Sequence, residues 1–397
     1  MKKRIIAALL AGVMALSLVA CGGSGDDSKG DSAESGSDMN IAMVTDSGDI
    51  TDQSFNQTTY ETCKAWSEEN GVTFNYYKPE ADSDEARSAS VDQAIAAGAN
   101  IVVLPGYMFA AAVVEHSANW PDVKFVALDV SAGDICEKGV GEGYTYNPAD
   151  YDVTEYYNTE NTYCCTYQEE ISGYMAGYAA VKLGYRHIGF LGGMSVPAVT
   201  RFGYGYVQGA NAAAEELGVA EEVKVEYVCG GQFYGDADIT AYMDTWYGSK
   251  SVEAVFACGG GIWTSAAEAA AKTGGKVIGV DSDQAGTIAA YADVEDITIT
   301  SAMKGLAQTI NTVLSGIRDG KWSEFVGKID NLGLVSEDSE ANYVQLPLGS
   351  TQWSEDFTAD DYKELVKKLY NGEITVSNDT TAMPEVSISV EDYGSIK

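Results

Sequence analysis

Ile41-Ala42-Met43-Val44-Thr45-Asp46-Ser47-Gly48-Asp49-Ile50-Thr51-Asp52-Gln53-Ser54-Phe55-Asn56-Gln57 is the stretch that decides the fold. Residues 41–45 carry no charge and are mostly apolar, an Asp ends the run, a polar turn follows, and helical periodicity begins at Phe55. A strand that is apolar along its length, rather than at alternate positions, is buried on both faces. That is the condition of a parallel sheet covered by helices. The same rhythm continues outward. Strands at 73–77, 101–104 and 125–128 alternate with helices at about 55–70, 84–97 and 109–117. A second series places helices at about 169–183, 197–217, 237–247 and 264–272 between strands at 187–191, 223–228, 254–257 and 276–280. The chain therefore reads as α/β, with two doubly wound lobes that split near residues 165–170. In such sheets ligands bind at the carboxyl ends of the strands, so the expected site is the cleft between the lobes.

The remaining elements read as additions to the two lobes rather than a third domain. They are strands at 298–301, near 328–334 and at 373–376, and helices at about 303–319 and 359–370. The expected division is 39–166 plus 289–321 for the N-terminal lobe and 167–288 plus 322–380 for the C-terminal lobe, with 381–397 a tail. A hinge of several segments follows from it. Residues 133–162 are rich in Tyr, Asp, Glu and Asn with little periodicity, and read as an inserted loop.

Charge excludes whole classes of function. The 397 residues hold 24 Lys and Arg against 59 Asp and Glu, a formal net charge of −35. Nucleic-acid affinity comes largely from basic side chains neutralising phosphates, and basic patches are what dock proteins on anionic lipid. Neither fits this surface. There are 2 histidines, His116 and His187, so zinc sites rich in His and multi-His catalysis are disfavoured. His116 reads as a surface residue and His187 as a strand-edge residue. Cys63, Cys136, Cys164, Cys165, Cys229 and Cys258 show no C-x-x-C pair. They read as disulfide partners or as buried thiols, and adjacent Cys164 and Cys165 point to opposite faces if extended.

The start of the chain has the layout of a secretory signal peptide: Lys2-Lys3-Arg4, then an apolar run over 5–19. That run is shorter than the roughly 20 residues a bilayer span needs. It ends Leu18-Val19-Ala20-Cys21-Gly22, which resembles a bacterial lipobox with Cys21 as the lipidated mature N-terminus. The alternative is a short membrane anchor. Residues 1–20 are thus expected to be a lipoprotein signal peptide, and 21–38 a lipidated Cys with a flexible Gly/Ser/Asp tether, with a reach of roughly 20–25 Å. The expected location is the cell membrane, lipid-anchored, facing the extracytoplasmic side.

The strand ends carry the chemistry. Asp46, Asp129 and Asp281 each close an apolar strand. One such Asp is often only a helix cap; three suggest acceptors for ligand hydroxyls or amines. Asp46, Phe55 and Asn56 put a carboxylate, an aromatic face and an amide at one sheet edge. Asp52 and Ser54 read as helix N-caps. The acids of this loop lack the remaining ligands of a calcium loop, so no metal is expected. Cys258-Gly259-Gly260-Gly261-Ile262-Trp263 follows a strand, and its glycines permit close backbone approach at a helix start. It has no Lys-Ser/Thr of a P-loop.

Taken together these motifs resemble the basic membrane protein family of substrate-binding lipoproteins, which includes bacterial purine nucleoside receptors. The carriers are Thr45-Asp46-x-Gly48-x-x-x-Asp52-x-Ser54-Phe55-Asn56-Gln57, Ile188-Gly189-Phe190-Leu191-Gly192-Gly193-Met194 with Pro197, and Arg201-Phe202-x-x-Gly205-Tyr206-x-x-Gly209. Further carriers are Gly260-Gly261, Ile278-Gly279-Val280-Asp281-Ser282-Asp283-Gln284, Ser301-x-Met303-Lys304 and Asn371-Gly372-Glu373-Ile374-Thr375-Val376. The resemblance implies a type I periplasmic-binding-protein fold that hands nucleosides to an ABC permease. It also implies that Phe55 and Phe233 sandwich the base and that Asp46 and Asn56 read its polar edge. Asp129, Asp281 and Lys304 would hold the ribose hydroxyls, with Gly260 supplying backbone. Where many members have Gly-Gly-Thr-Gly, this chain has Gly260-Gly261-Ile262-Trp263, so Gly261 and Trp263 join the expected ligand-binding set. The plainer alternatives are a core aromatic for Phe233, a helix staple for Phe55 and a solvated lysine for Lys304.

The expectation is a monomeric solute-binding protein of an ABC importer, with no catalytic residue and no cofactor. Its partners would be a nucleoside, purine foremost, the permease subunits, and the membrane through the lipid anchor. Two other readings remain: a sensory or other-solute-binding lipoprotein of the same fold, and a calcium-dependent nucleoside hydrolase using Asp46 and Asp49.

Overall fold

The computed structural model of the chain describes residues 38–397. The expectations for residues 1–20, Cys21 and the tether as far as residue 37 lie outside the described residues. Among the described residues thirteen strands form two sheets. In chain order they are β1 (Asn40–Val44), β2 (Thr73–Tyr77), β3 (Ile101–Pro105), β4 (Lys124–Leu128), β5 (Thr162–Tyr167), β6 (His187–Gly192) and β7 (Lys224–Cys229). There follow β8 (Ala254–Cys258), β9 (Lys276–Asp281), β10 (Thr298–Lys304), β11 (Ile329–Leu332), β12 (Val344–Gln345) and β13 (Ser389–Ser395). The first sheet runs β11-β5-β4-β3-β1-β2 and the second β12-β10-β9-β8-β6-β7-β13. Every pairing is parallel except that of β12 with β10.

Both faces of each sheet are covered, as the unbroken apolar strands require. In β3, Ile101 and Val103 face a core with Trp66 and Leu314, while Val102 and Leu104 face one with Val91 and Phe109. All four are fully buried, and each contributes roughly 1.5–3 kcal/mol of apolar burial. Helices Phe55–Asn70 and Leu306–Arg318 cover one face of the first sheet, and Asp84–Ala96 with Ala110–Asn119 the other. In β5, Cys164 belongs to one of these cores and Cys165 to the other, the opposite-face arrangement expected of an extended pair. The six described cysteines are all buried and unpaired.

The tail crosses between sheets differently from the expected division. Segment 289–321 does not belong to one lobe: β10 pairs with β9 in the second sheet, and helix Leu306–Arg318 then returns to the first. Strand β11, expected in the second lobe, pairs with β5 in the first. Residues 373–376 form no strand; β13, in the expected tail, instead closes the edge of the second sheet beside β7. The crossings therefore fall between β5 and the helix Glu169–Lys182, between β10 and the helix Leu306–Arg318, and between β11 and β12. The region read as an inserted loop begins with a helix, Ala132–Val140, capped by a Ser131–Asp134 box, and ends in the first residue of β5. His116 is buried rather than surface, with Nε2 3.2 Å from an Asp92 carboxylate oxygen. Its apolar helix face is the reason: Val113 and Ser117 beside it are buried too.

Candidate functional site

The carboxyl ends of both sheets face one cleft of about 870 Å³, measured out to its open mouth. Asp46, Phe55, Asn56, Asp129, Phe233, Gly260, Asp281 and Lys304 line it. Two expected residues do not. Gly261 spends its amide on the Phe233 carbonyl at 2.8 Å. Trp263 packs in the core of the second lobe, edge-on to Tyr291 with ring centroids 5.2 Å apart. Its position at the first residue of helix Trp263–Thr273 turns the indole toward that core and not into the cleft.

Asp129 and Asp281 occupy equivalent places, one at the end of β4 and one at the end of β9. Both have left-handed backbones, with φ of 59° and 64°. Asp tolerates that region better than most residues, and the turn lifts each carboxylate over the strand end. Oδ1 of Asp129 is buried without a hydrogen-bond partner. Its Oδ2 meets Lys304 Nζ at 2.5 Å. Burial pushes the Asp129 carboxyl up to about 7 against the opposing pull of Lys304. Burial also raises Asp281.

Lys304 is not a solvated lysine. It is buried at the end of β10, and its Nζ lies 5.1 Å from the centre of the Phe55 ring and 5.5 Å from those of Tyr167 and Phe202. Asp129, Glu169 and Asp281 outweigh the cost of burying its charge and hold it protonated.

The first loop is built around Asp46 and Asp52. Asp52 accepts from the backbone amides of Ser54, Asn56 and Gln57 at 2.8, 3.0 and 3.0 Å, which makes it the cap of helix Phe55–Asn70. Ser54 has the cap position but no side-chain cap bond; its hydroxyl reaches Asp281 instead, at 2.6 Å. The Asn56 amide is fully engaged inside the loop. Its Nδ2 donates to Asp46 Oδ1 at 2.9 Å and Asp52 Oδ2 at 3.1 Å, and its Oδ1 accepts from the Asp46 amide at 3.3 Å. Asn56 therefore fixes Asp46, which presents the carboxylate. Burial raises Asp46 to about 6, partly offset by bonds from Gly48 and Asn56. Asp49 turns away to an ion pair with Lys78. Among the described residues no group of three His, Cys, Asp or Glu is placed to hold a metal ion.

Phe233 lies across a floor of glycines. A Cβ added at Gly193 would sit 2.4 Å from its ring, and one at Gly259 2.9 Å. Phe55 and Phe233 thus bring one aromatic ring from each lobe to the same cleft.

The expectations did not include Tyr107, Ser131, Asp134, Arg201 and Phe202, which also line the cleft. Two signals pointed to four of them. Ser131-x-x-Asp134 is a capping-box spacing, and Arg201-Phe202 lies in the second turn of the helix that follows β6. That helix, Pro197–Leu217, meets Glu169–Lys182 backbone to backbone. A Cβ at Gly205 would lie 2.1 Å from the Glu170 carbonyl oxygen, and one at Gly173 2.1 Å from that of Phe202. Only glycine permits this approach, and it sets Arg201 beside Glu169.

The chain matches, over residues 39–380, the family model described as Bmp, ABC transporter substrate-binding protein PnrA-like. It is 27% identical over 339 residues to the "ABC transporter nucleoside-binding protein BmpA" of Lactococcus lactis, covering 81% of this chain and 87% of that one. It is 26% identical to "Basic membrane protein A" of Borreliella burgdorferi, covering 74% of this chain and 76% of that one. Among solved structures, an ABC transporter solute-binding protein from Conexibacter woesei superposes with a TM-score of 0.60 at 22% identity, over 86% of this chain and 99% of the other. A solute-binding protein from Aeropyrum pernix gives the same TM-score, 0.60, at 19% identity over 86% and 88% of the two chains. Those two carry the type I periplasmic-binding fold, and the family match extends over nearly all of the folded chain: this protein belongs to the Bmp family of ABC transporter substrate-binding proteins.

Proposed function

We propose that this protein is anchored through a lipidated Cys21 outside the cytoplasm, binds a nucleoside between its lobes, and delivers it to the permease of an ABC importer. A purine nucleoside is the foremost candidate. The observation that carries the reading is the pair of aromatic rings, Phe55 and Phe233, lining one cleft with Asp46, Asp129, Asp281 and Lys304. Base stacking on aromatics is worth roughly 1–3 kcal/mol per base. Polar groups buried in the site reject ligands lacking hydroxyls, because they would be left unpaired. In this reading Asp46, held by Asn56, meets the polar edge of the base. Asp129, Asp281 and Lys304 meet the sugar hydroxyls, and Gly260 offers backbone. The naming of the Lactococcus lactis relative as nucleoside-binding supports the same assignment.

Calorimetric titration of ligand-free protein with adenosine, guanosine, inosine, cytidine and uridine tests it. Binding of at least one, strongest among the purines, is expected; no heat with any of the five overturns the nucleoside assignment. Incorporation of labelled fatty acid into the intact chain, lost in Cys21→Ala, tests the anchor.

A further inference from the structure

Both cations that line the cleft end on one buried carboxylate that does not line it. Arg201 Nε donates to Glu169 Oε2 at 2.6 Å, and Lys304 Nζ lies 3.1 Å from Glu169 Oε1 at ion-pair distance. The Glu169 side chain is 0% exposed. Lys304 reaches Asp129 in turn, so the four groups run Arg201, Glu169, Lys304, Asp129 from one lobe toward the other.

An acidic residue in the first turn of a helix is ordinarily accounted for by the helix dipole, which a solvent-exposed carboxylate satisfies well enough. Glu169 is the first residue of its helix, yet it is withdrawn completely from water, which costs several kcal/mol unless the charge is paired. It is paired twice. Burial acts against its ionisation, but Arg201 and Lys304 overcome that and hold its carboxyl below the ordinary value. The close approach of the two helices at Gly173 and Gly205 sets the backbones from which Glu169 and Arg201 meet.

Without Glu169, Arg201 would lose this ion pair, whereas Lys304 would keep Asp129 and the nearby Asp281. A guanidinium released from its carboxylate is what recognises a phosphate. We propose that Glu169 is a positioning and specificity-determining residue. It orients Arg201 and Lys304 for an uncharged, hydroxyl-bearing ligand and, by keeping the Arg201 guanidinium paired, makes the cleft reject the phosphate ester of that ligand. The inference rests on the nucleoside reading above and adds to it the selection against nucleotides.

The test is calorimetric titration of inosine and inosine 5′-monophosphate into the wild type, Glu169→Gln, Glu169→Asp and the double variant Glu169→Gln/Arg201→Gln. The wild type is expected to bind the monophosphate at least 100-fold more weakly than inosine. In Glu169→Gln, inosine affinity falls at least tenfold and the inosine-to-monophosphate ratio falls at least tenfold; Glu169→Asp keeps the ratio near that of the wild type. The double variant removes one charge of each sign, so it relieves any folding defect caused by an unpaired Arg201 and recovers most of the ratio. A folded Glu169→Gln with an unchanged ratio overturns the proposal, as does a double variant as unselective as the single one. Binding of neither ligand by the wild type removes the nucleoside reading instead. Glu169 is then judged on the ligand-free protein by the nuclear magnetic resonance signal of the Arg201 Nε–H. Slow exchange in the wild type and fast exchange in Glu169→Gln support the positioning role; equal exchange in both overturns it.

Discussion

The Ser54 hydroxyl donates to Oδ2 of Asp281 at 2.6 Å, tying the helix entrance of the first lobe to a strand end of the second. Neighbouring bonds reinforce the tie. Gln284 Nε2 donates to the Gln53 carbonyl at 2.8 Å and Thr287 Oγ1 to Gln53 Oε1 at 3.1 Å. The Trp263 indole reaches the Asp52 carbonyl at 3.4 Å. Gln53 accommodates these contacts with a left-handed φ of 57°. Trp263, placed outside the cleft, therefore acts on the loop that lines it. The lobes are thus held together at the cleft by side chains that close on one short loop.

Ser54→Ala removes a hydrogen bond to a buried carboxylate. Bonds to charged groups contribute about 1.5–3 kcal/mol, and this one exists only while the lobes are closed. Ser54→Ala is expected to shift the ligand-free protein toward an open form and weaken nucleoside binding about tenfold. Small-angle X-ray scattering would show a larger radius of gyration than in the wild type, with an unchanged thermal midpoint. An identical radius and affinity would mean that closure does not depend on this bond.

Phe233→Ala leaves an unfilled space above Gly193 and Gly259, which pack against the ring. Loss of one stacking face is expected to weaken nucleoside binding by at least about 1 kcal/mol, fivefold or more by calorimetry. Unchanged affinity would place the base elsewhere.

Asp46 gives a pH dependence with a definite sign. Its carboxyl is raised from 3.8 to about 6, chiefly by burial. Between those values the native state keeps a proton that the unfolded chain has released, so this residue makes stability fall as pH rises through the window. Above about 6 the cost is constant. Asp46→Asn removes the titration. The wild type is expected to lose thermal stability relative to Asp46→Asn between pH 4 and 6, and parallel profiles would rule the assignment out.

Glu226 acts with the opposite sign. Its side chain is 0% exposed and is met by Lys224 at 3.0 Å, Lys250 at 2.8 Å, His187 Nε2 at 2.9 Å and the Tyr393 hydroxyl. Burial opposes its ionisation, but these partners hold it down to about 2 from 4.5. Its stabilisation is complete above the ordinary value and is lost as pH falls toward 2. Glu226→Gln is therefore expected to lower the thermal midpoint at pH 7 and to flatten the acid limb. Removing 389–397 takes away Tyr393 and bares the edge of β7, which should lower the midpoint further and promote self-association through the open edge. A truncated chain that stays monomeric and equally stable would deny β13 that role.

Much of the architecture was legible because it is local. The apolar strands at 41–45 and 101–104, the helices from Phe55 and Pro197, and the Asp at each strand end are encoded in consecutive residues. The sequence determined by itself that both sheets are mainly parallel and covered, and that Asp46, Asp129 and Asp281 gather at their carboxyl edges. Family motifs drew Phe55, Phe233 and Lys304 to the same place.

The remainder depended on partners distant along the chain. No local pattern tells that β10 joins β9 while the next helix returns to the first sheet, or that β13 rather than 373–376 completes the second. Asn56 reads as a ligand donor until Asp46 and Asp52 are seen to use both of its N–H groups. Trp263 reads as a cleft residue until the helix start turns it to the core. Glu169 reads as an ordinary first-turn acid until the glycines of two helices set it against Arg201. Periodicity and turn chemistry are properties of neighbours in sequence, whereas the pairing of buried charges depends on which backbones approach closely enough to exclude water, and only the tertiary structure decides that.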